Sequence, residues 1–164
     1  MATVGILTIS TKGAAGERED TSGEVIREIV TAPPFSATVA QRAIVTDDRA
    51  AIEQTLRRWA DESHLDLILT TGGTGLSPTD VTPEATLAVL DRQALGIVEA
   101  MRRETLAKTP FAMLSRAVAG TRGVTLIINL PGSPKGVREC LEVVLPVLPH
   151  AIELVSGRRT EHAP

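Results

Sequence analysis

Thr70-Thr71-Gly72-Gly73-Thr74-Gly75-Leu76-Ser77-Pro78-Thr79-Asp80-Val81-Thr82-Pro83-Glu84-Ala85 is the stretch on which the reading of the fold turns. It follows an apolar run at 65–69, broken only by Asp66, which predicts a buried strand reaching Thr70. Gly72, Gly73 and Gly75 let the backbone turn with positive φ and approach a ligand with no Cβ in the way. Thr82, Pro83 and Glu84 have the order of N-cap, first-turn proline and first-turn acid. A strand, a glycine loop and a helix start in succession present backbone amides to an anion at the carboxyl edge of an open α/β sheet.

A second unit repeats the pattern. The apolar run at 124–128 leads into Asn129-Leu130-Pro131-Gly132-Ser133-Pro134-Lys135-Gly136, where Ser133-Pro134 is again N-cap and first-turn proline. The first loop offers the amides of Gly72, Gly73 and Gly75 and the hydroxyls of Thr71, Thr74 and Ser77. The second offers the amides near Gly132 and Ser133 at a helix N-terminus, with Lys135 close by as a point charge. Two such loops suit a ligand with several phosphates. The plainer alternative is that the glycines only make tight turns and Ser133 only caps its helix. Neither the dinucleotide fingerprint nor the P-loop pattern is present.

Asp47 follows the second predicted strand and Asp80 follows the first glycine loop. In a parallel sheet both lie on one edge, and two carboxylates beside phosphates suggest Mg²⁺. The alternative is that Asp47 caps a helix and Asp80 makes an Asx-turn. Asp20, alone, reads as a loop residue. Arg116 and Arg122 stand where they could reach phosphates, although a lone arginine is more often solvated. His64, His150 and His162 have no ligand spacing.

Outward from these loops, the chain alternates strands and helices. Residues 4–9 read as a buried strand followed by a polar loop at 12–20. Thr21 stands three residues before Glu24, the capping-box spacing, and Val25, Ile26, Ile29 and Val30 share a helical face that Pro33-Pro34 ends. Residues 36–45 read as a second strand. Thr46-Asp47-Asp48 offers three caps to a helix carrying Ile52, Leu56, Trp59 and Ala60. One helix is predicted from Thr82 to about Arg92, another between Gly96 and Pro110, and an irregular strand within 116–124. A last helix keeps Val137, Cys140, Leu141 and Val144 on one side, is divided by Pro146 and Pro149, and ends at Gly157. The alternation predicts an α/β three-layer sandwich with a mainly parallel central sheet. Residues 1–157 form its single domain and 158–164 a polar tail.

Composition narrows the function classes. A chain of 164 residues with 43% hydrophobic residues supports a substantial core. A net charge of −3 and only Phe35, Phe111 and Trp59 as aromatics argue against a nucleic-acid surface. Cys140 is the sole cysteine, so no intrachain disulfide or paired-cysteine metal site forms. No signal sequence and no apolar run near the ~18 residues of a membrane helix is present, which predicts a soluble cytoplasmic protein.

Taken together and in order, the motifs resemble the MogA/MoaB molybdopterin-binding family, which includes molybdopterin adenylyltransferases and the gephyrin G domain. They are the first glycine loop through Ala85, then Leu114-Ser115-Arg116, then the second loop through Lys135. The opening Ile6-Leu7-Thr8-Ile9-Ser10 and Asp20-Thr21-Ser22-Gly23 also fit. The resemblance implies the MogA/MoaB-like fold, a homotrimer and an enzyme that adenylylates molybdopterin with Mg-ATP and releases pyrophosphate. The adenylylated pterin would pass to a downstream molybdenum-insertion protein. Carried over, Asp47 and Asp80 match functional aspartates, here read as catalytic and Mg²⁺-binding. Thr71, Gly72, Gly73, Thr74 and Gly75 match the loop lining the site, Ser115 a serine at the pterin, and Pro131, Gly132, Ser133 and Lys135 the second loop. The chain ends soon after its last helix, as in the family's shorter members, so a non-catalytic molybdopterin-binding protein or scaffold is the alternative.

Overall fold

In the computed structural model, which describes residues 1–158, the two apolar runs that precede the glycine loops are adjacent parallel strands. β3 (Leu67–Thr71) pairs with β6 (Thr125–Leu130), Thr71 lying opposite Leu130, so the two loops leave the sheet side by side. β1 (Thr3–Ile9) pairs in parallel with β3 and with β2 (Thr38–Val45). β5 (Ala119–Arg122) runs antiparallel to β6, and the two-residue β4 (Arg92–Gln93) antiparallel to β5. The sheet order is β2-β1-β3-β6-β5-β4. The order reverses at β1, whose chain returns first to β2 and then to β3 on its other side. That is where an open α/β sheet leaves a crevice at its carboxyl edge.

Side chains alternate between two cores, as the period of a strand requires. Val4, Ile6, Leu67, Leu69, Leu126 and Ile128 face a layer made by α2 (Thr21–Thr31), α5 (Leu95–Leu106), α6 (Pro134–Val144) and α7 (Leu148–Ser156). Leu7, Ile9, Ile68 and Ile127 face α3 (Arg49–Asp61) and α4 (Thr82–Val89). A four-residue helix α1 (Thr11–Ala14) begins the segment expected to be a loop. It is capped by Ser10, whose Oγ accepts from Gly13 N at 3.0 Å. The three-layer sandwich is therefore the one expected. Trp59 is buried in the second core and packs against Gly5. A Cβ on Gly5 would stand 2.7 Å from Trp59 Cε3, so glycine in this strand is room for the indole.

Several boundaries differ from expectation. α2 is capped by Asp20, not Thr21: Asp20 Oδ1 accepts from Gly23 N at 3.0 Å. Among the three candidate caps of α3 the fold uses Asp48, whose Oδ2 accepts from Ala51 N at 3.0 Å. α4 ends at Val89 rather than near Arg92, because 92–93 are drawn out as the edge strand β4. Thr82 is not its cap, since its hydroxyl donates to Gly72 O instead. Residues 110–114 form a 3₁₀ turn. Ser133 caps α6 through Gly136 N, and Gly157 ends α7 at φ 69°, both as expected. The divided last helix is also seen, as a short 3₁₀ turn at Leu145–Val147 between α6 and α7. The expected polar tail beyond Arg158, with His162, lies outside the described residues. Among the described residues no helix is long and apolar enough to cross a membrane.

One buried polar group ties the layers together. Asn129, fully buried on β6, donates from Nδ2 to Thr70 Oγ1 (2.9 Å) and Thr86 Oγ1 (3.0 Å), and its Oδ1 accepts from Val118 N (3.2 Å). It thus joins β3, α4 and the approach to β5. Buried donors left without partners are costly. Asn129→Ala is expected to destabilise the fold by about 1–3 kcal/mol, seen as a lower urea midpoint. An unchanged midpoint would show that this network contributes nothing.

Candidate active site

At the carboxyl edge, the ends of four parallel strands surround a cavity of about 510 Å³. Its floor is the first glycine loop. Gly72 has φ 99° and Gly73 φ 69°, the left-handed region. A Cβ on Gly72 would overlap Ile9 O, and one on Gly73 would overlap Thr82 Oγ1. These positions need glycine for both conformation and space. Gly72 N reaches Leu130 O at 3.4 Å, and Thr71 Oγ1 donates to Pro131 O at 2.6 Å. The second loop is held from the other side, where Ser22 Oγ donates to Gly132 O at 2.6 Å. The strand ends, the loops and the start of α2 are therefore one hydrogen-bonded unit.

Of the residues predicted from sequence, Asp47, Asp80, Thr71, Gly72 and Gly73 line this cavity, with Gly132 and Ser133 opposite. Asp47 does not cap α3. Its Oδ2 accepts from Thr11 N (3.1 Å) and Thr11 Oγ1 (2.8 Å), and its Oδ1 has no hydrogen-bond donor among the described residues. Asp80 Oδ2 accepts from Ser77 N, three residues earlier, at 3.1 Å, while Oδ1 has no donor among the described residues. Each aspartate thus has one oxygen fixed by the protein and one available. The Asx-turn alternative is not formed, since Thr82 N, two residues on, is bonded to Gly73 O and the Asp80 carboxylate turns back to Ser77 N instead.

The structure separates the other predicted residues. Thr74 and Gly75 lie farther along the loop and do not line the cavity. Ser115 and Pro131 line a second, smaller cavity of about 190 Å³ together with Met101, Phe111 and Cys140, which meets the first at Ser133. Lys135 is exposed on α6 and lines neither. Arg116 is no free phosphate ligand. Its guanidinium donates to Gly75 O (2.8 Å), to Asp80 O (2.9 Å) and to both oxygens of Glu84 (2.7 and 2.9 Å). It clamps the loop that carries Asp80. Arg122 is paired with Asp61 and Val89 O, away from the site. Burial, with the nearby Glu139 charge, pushes the Cys140 thiol up to about 11, as suits a packing residue rather than a nucleophile.

Sequence reasoning missed two carboxylates of the lining, Glu19 and Asp20, of which Asp20 is the one bonded into the fold. Asp20 lines the cavity and is nearly buried, accepting from Thr8 Oγ1 (3.0 Å), Gly23 N (3.0 Å) and Arg42 Nη2 (3.1 Å). Its signal was its place directly before a helix start that follows a strand, the position of a cap at the sheet's carboxyl edge. Arg42 also bonds Glu24 Oε2 at 2.8 Å. Arg27 first, then Arg42, holds the Glu24 carboxyl down at about 2, below its ordinary 4.5. A carboxylate so depressed stabilises the fold above its unfolded value, and that contribution is lost as pH falls toward the folded value.

These features meet in known proteins. The family described as "Probable molybdopterin binding domain" matches residues 5–150. The chain belongs to this family. It is 43% identical over 154 residues to a molybdopterin adenylyltransferase of Helicobacter pylori, covering 94% of this chain and 88% of that one. It is 42% identical over 169 residues to gephyrin of Dictyostelium discoideum, covering 98% of this chain and 23% of that longer protein. The crystal structure of the molybdopterin biosynthesis enzyme MoaB from Thermus thermophilus is 58% identical, with a TM-score of 0.90 over 96% of this chain and 98% of that chain. The fold expected from the resemblance is the fold of these relatives.

Within this family member, the Glu24 shift sets a pH signature. Arg42→Met is expected to be less stable than the parent at neutral pH. The gap should narrow as pH falls from 4.5 toward 2, measured as urea midpoints against pH. A gap independent of pH across that window would show that Arg42 acts through packing alone.

Proposed function

We propose that the chain transfers the adenylyl group of ATP to molybdopterin in molybdenum cofactor biosynthesis. One observation carries the reading: in a molybdopterin-binding family member, both glycine loops, Asp47 and Asp80 converge on one cavity. The relatives named molybdopterin adenylyltransferase support it. A terminal phosphate oxygen of the pterin attacks the α-phosphorus of ATP, and a new phosphoanhydride bond forms. The bond from the α-phosphorus to the bridging oxygen breaks, and pyrophosphate leaves with the electron pair. The attacking phosphate is already an anion, so the transfer requires no protein base. Phosphoryl chemistry of this kind depends on positioning and charge neutralisation.

The residues fit those tasks. The left-handed backbone at Gly72 and Gly73 leaves the loop surface open to a phosphate, and α6 directs its N-terminus at the second loop. Mg²⁺ fits the donor set. Asp47 and Asp80 each keep one oxygen with no hydrogen-bond donor, and among the described residues no three acidic, histidine or cysteine side chains form a complete cage. Mg²⁺ takes one or two carboxylates and completes its shell with phosphate oxygens and water. When bound there it would neutralise charge on the phosphates, which the carboxylates alone cannot do. The smaller cavity beside Ser115, lined by Met101, Phe111 and Pro131, suits the pterin.

The proposal extends to a homotrimer, a cytoplasmic location and delivery of the product to a molybdenum-insertion protein. Exposed Phe111 and Met113, together on the 110–114 turn, support burial against another subunit. Light scattering is expected to give three times the chain mass, and a monomer at micromolar concentration removes this part.

The test of the activity is incubation with molybdopterin and Mg-ATP, with pyrophosphate and adenylylated pterin measured. Both are expected in equal amounts. Pterin binding without product would instead leave a non-catalytic binding role. Asp80→Asn is expected to lower turnover by about 10²-fold or more, the scale of one lost electrostatic stabiliser. Near-normal turnover in that variant removes Asp80 from the mechanism.

A further inference from the structure

The charges lining the large cavity are lopsided. Glu19, Asp20, Asp47 and Asp80 are acidic, and Arg18 is the one basic residue among the lining side chains. Arg18 also differs from most arginines near the site. Arg27, Arg42 and Arg116 are held in ion pairs, and Arg102 donates to two backbone carbonyls. Among the described residues Arg18 makes no hydrogen bond or ion pair. Lys135, to which the sequence pattern assigns the cationic role, lies outside the cavity.

The segment that carries Arg18 is nevertheless built. Ser10 caps α1, and Thr11 is fastened to Asp47 by three hydrogen bonds. Gly16 N reaches Gly13 O and Glu17 N reaches Lys12 O, folding the segment back on itself. Two residues beyond Arg18, Asp20 is pinned to Thr8, Gly23 and Arg42. The unpaired guanidinium is thus tethered at both ends of a short loop that runs along the cavity.

We propose that Arg18 binds the nucleotide's β- and γ-phosphates and accompanies the departing pyrophosphate. This rests on the adenylyl-transfer reading above. The argument is electrostatic and positional. A triphosphate entering a cavity with four carboxylates is repelled wherever no cation faces it, and a guanidinium offers a planar fork matched to phosphate oxygens. The α-phosphorus must lie within reach of the pterin phosphate near Asp47 and Asp80. The other two phosphates then extend toward solvent, where the exposed Arg18 stands. Arg18 is a binding residue for the leaving group and takes no proton.

The experiment uses the full chain with ATP, Mg²⁺ and molybdopterin, and pyrophosphate as product inhibitor. Arg18 is exposed and unbonded, so its variants fold. For Arg18→Ala, the KM for ATP and the inhibition constant of pyrophosphate are both expected to rise about 10- to 150-fold, the range of a lost hydrogen bond between charged groups. The KM for molybdopterin should change less than about twofold, because that substrate is held elsewhere. Arg18→Lys should recover part of the loss, keeping the charge without the fork. Raising ionic strength should weaken ATP binding more in the parent than in Arg18→Ala. If the parent turns over and Arg18→Ala keeps the parental ATP KM and pyrophosphate inhibition, the assignment of Arg18 is wrong while the activity stands. If the parent releases no pyrophosphate, the adenylyl-transfer reading fails and the Arg18 assignment fails with it.

Discussion

The contact on which the site depends is the close approach of Gly72 to the backbone of β1. Its Cα faces Ile9 O with no space for a side chain, and its φ of 99° is one that other residues adopt only with strain. This lets the chain leave β3 and cross the end of β1 rather than swing away from the sheet. From there Gly73 can accept Thr82 N and pass under the Thr82 hydroxyl, which itself donates to Gly72 O. Gly132 lies against the same turn. The carboxyl edge becomes a shared floor because backbone, not side chain, occupies the junction.

On that floor the protein sets charge with unequal firmness. Asp20 is nearly buried and fully bonded, while Asp47 and Asp80 are each held by one oxygen. The distinction matters chemically. A carboxylate bound on both oxygens shapes the cavity, whereas one with a free oxygen can join an arriving cation. Arg116 contributes at one remove, by bonding the carbonyls of Gly75 and Asp80 and so fixing the loop between them. The two aspartates therefore meet ligand from a frame already assembled, and little ordering of the floor is needed on binding.

Much of this was legible in the chain. The strand-loop-helix units around 65–85 and 124–145 carry their signals locally: an apolar run, glycines, then proline at the first helical turn. The three-layer order followed from alternation, and the site loops from spacing. What was not legible depended on competition between neighbours. Thr46, Asp47 and Asp48 are equivalent caps by type, and only the position of Thr11, 36 residues earlier, decides that Asp47 turns to α1 and Asp48 caps α3. Thr82 reads as a cap until Gly72 O is placed beside it. Lys135 and Arg116 looked like phosphate cations because sequence shows charge and not direction. One is exposed and does not line the cavity, and the other is already bonded to Glu84. The edge strand β4 has too few residues to leave a periodic trace at all.

The Asn129 network has a consequence for how this protein would appear in a genetic screen. Asn129 touches no surface and lines neither cavity. Yet its amide holds Thr70, one residue before the loop, and Thr86, on the helix that receives the loop's far end. A substitution there would be scored as loss of the enzyme while every ligand-facing residue remained unaltered. Second-site suppressors would gather in the hidden hydroxyl partners on β3 and α4, which themselves line neither cavity.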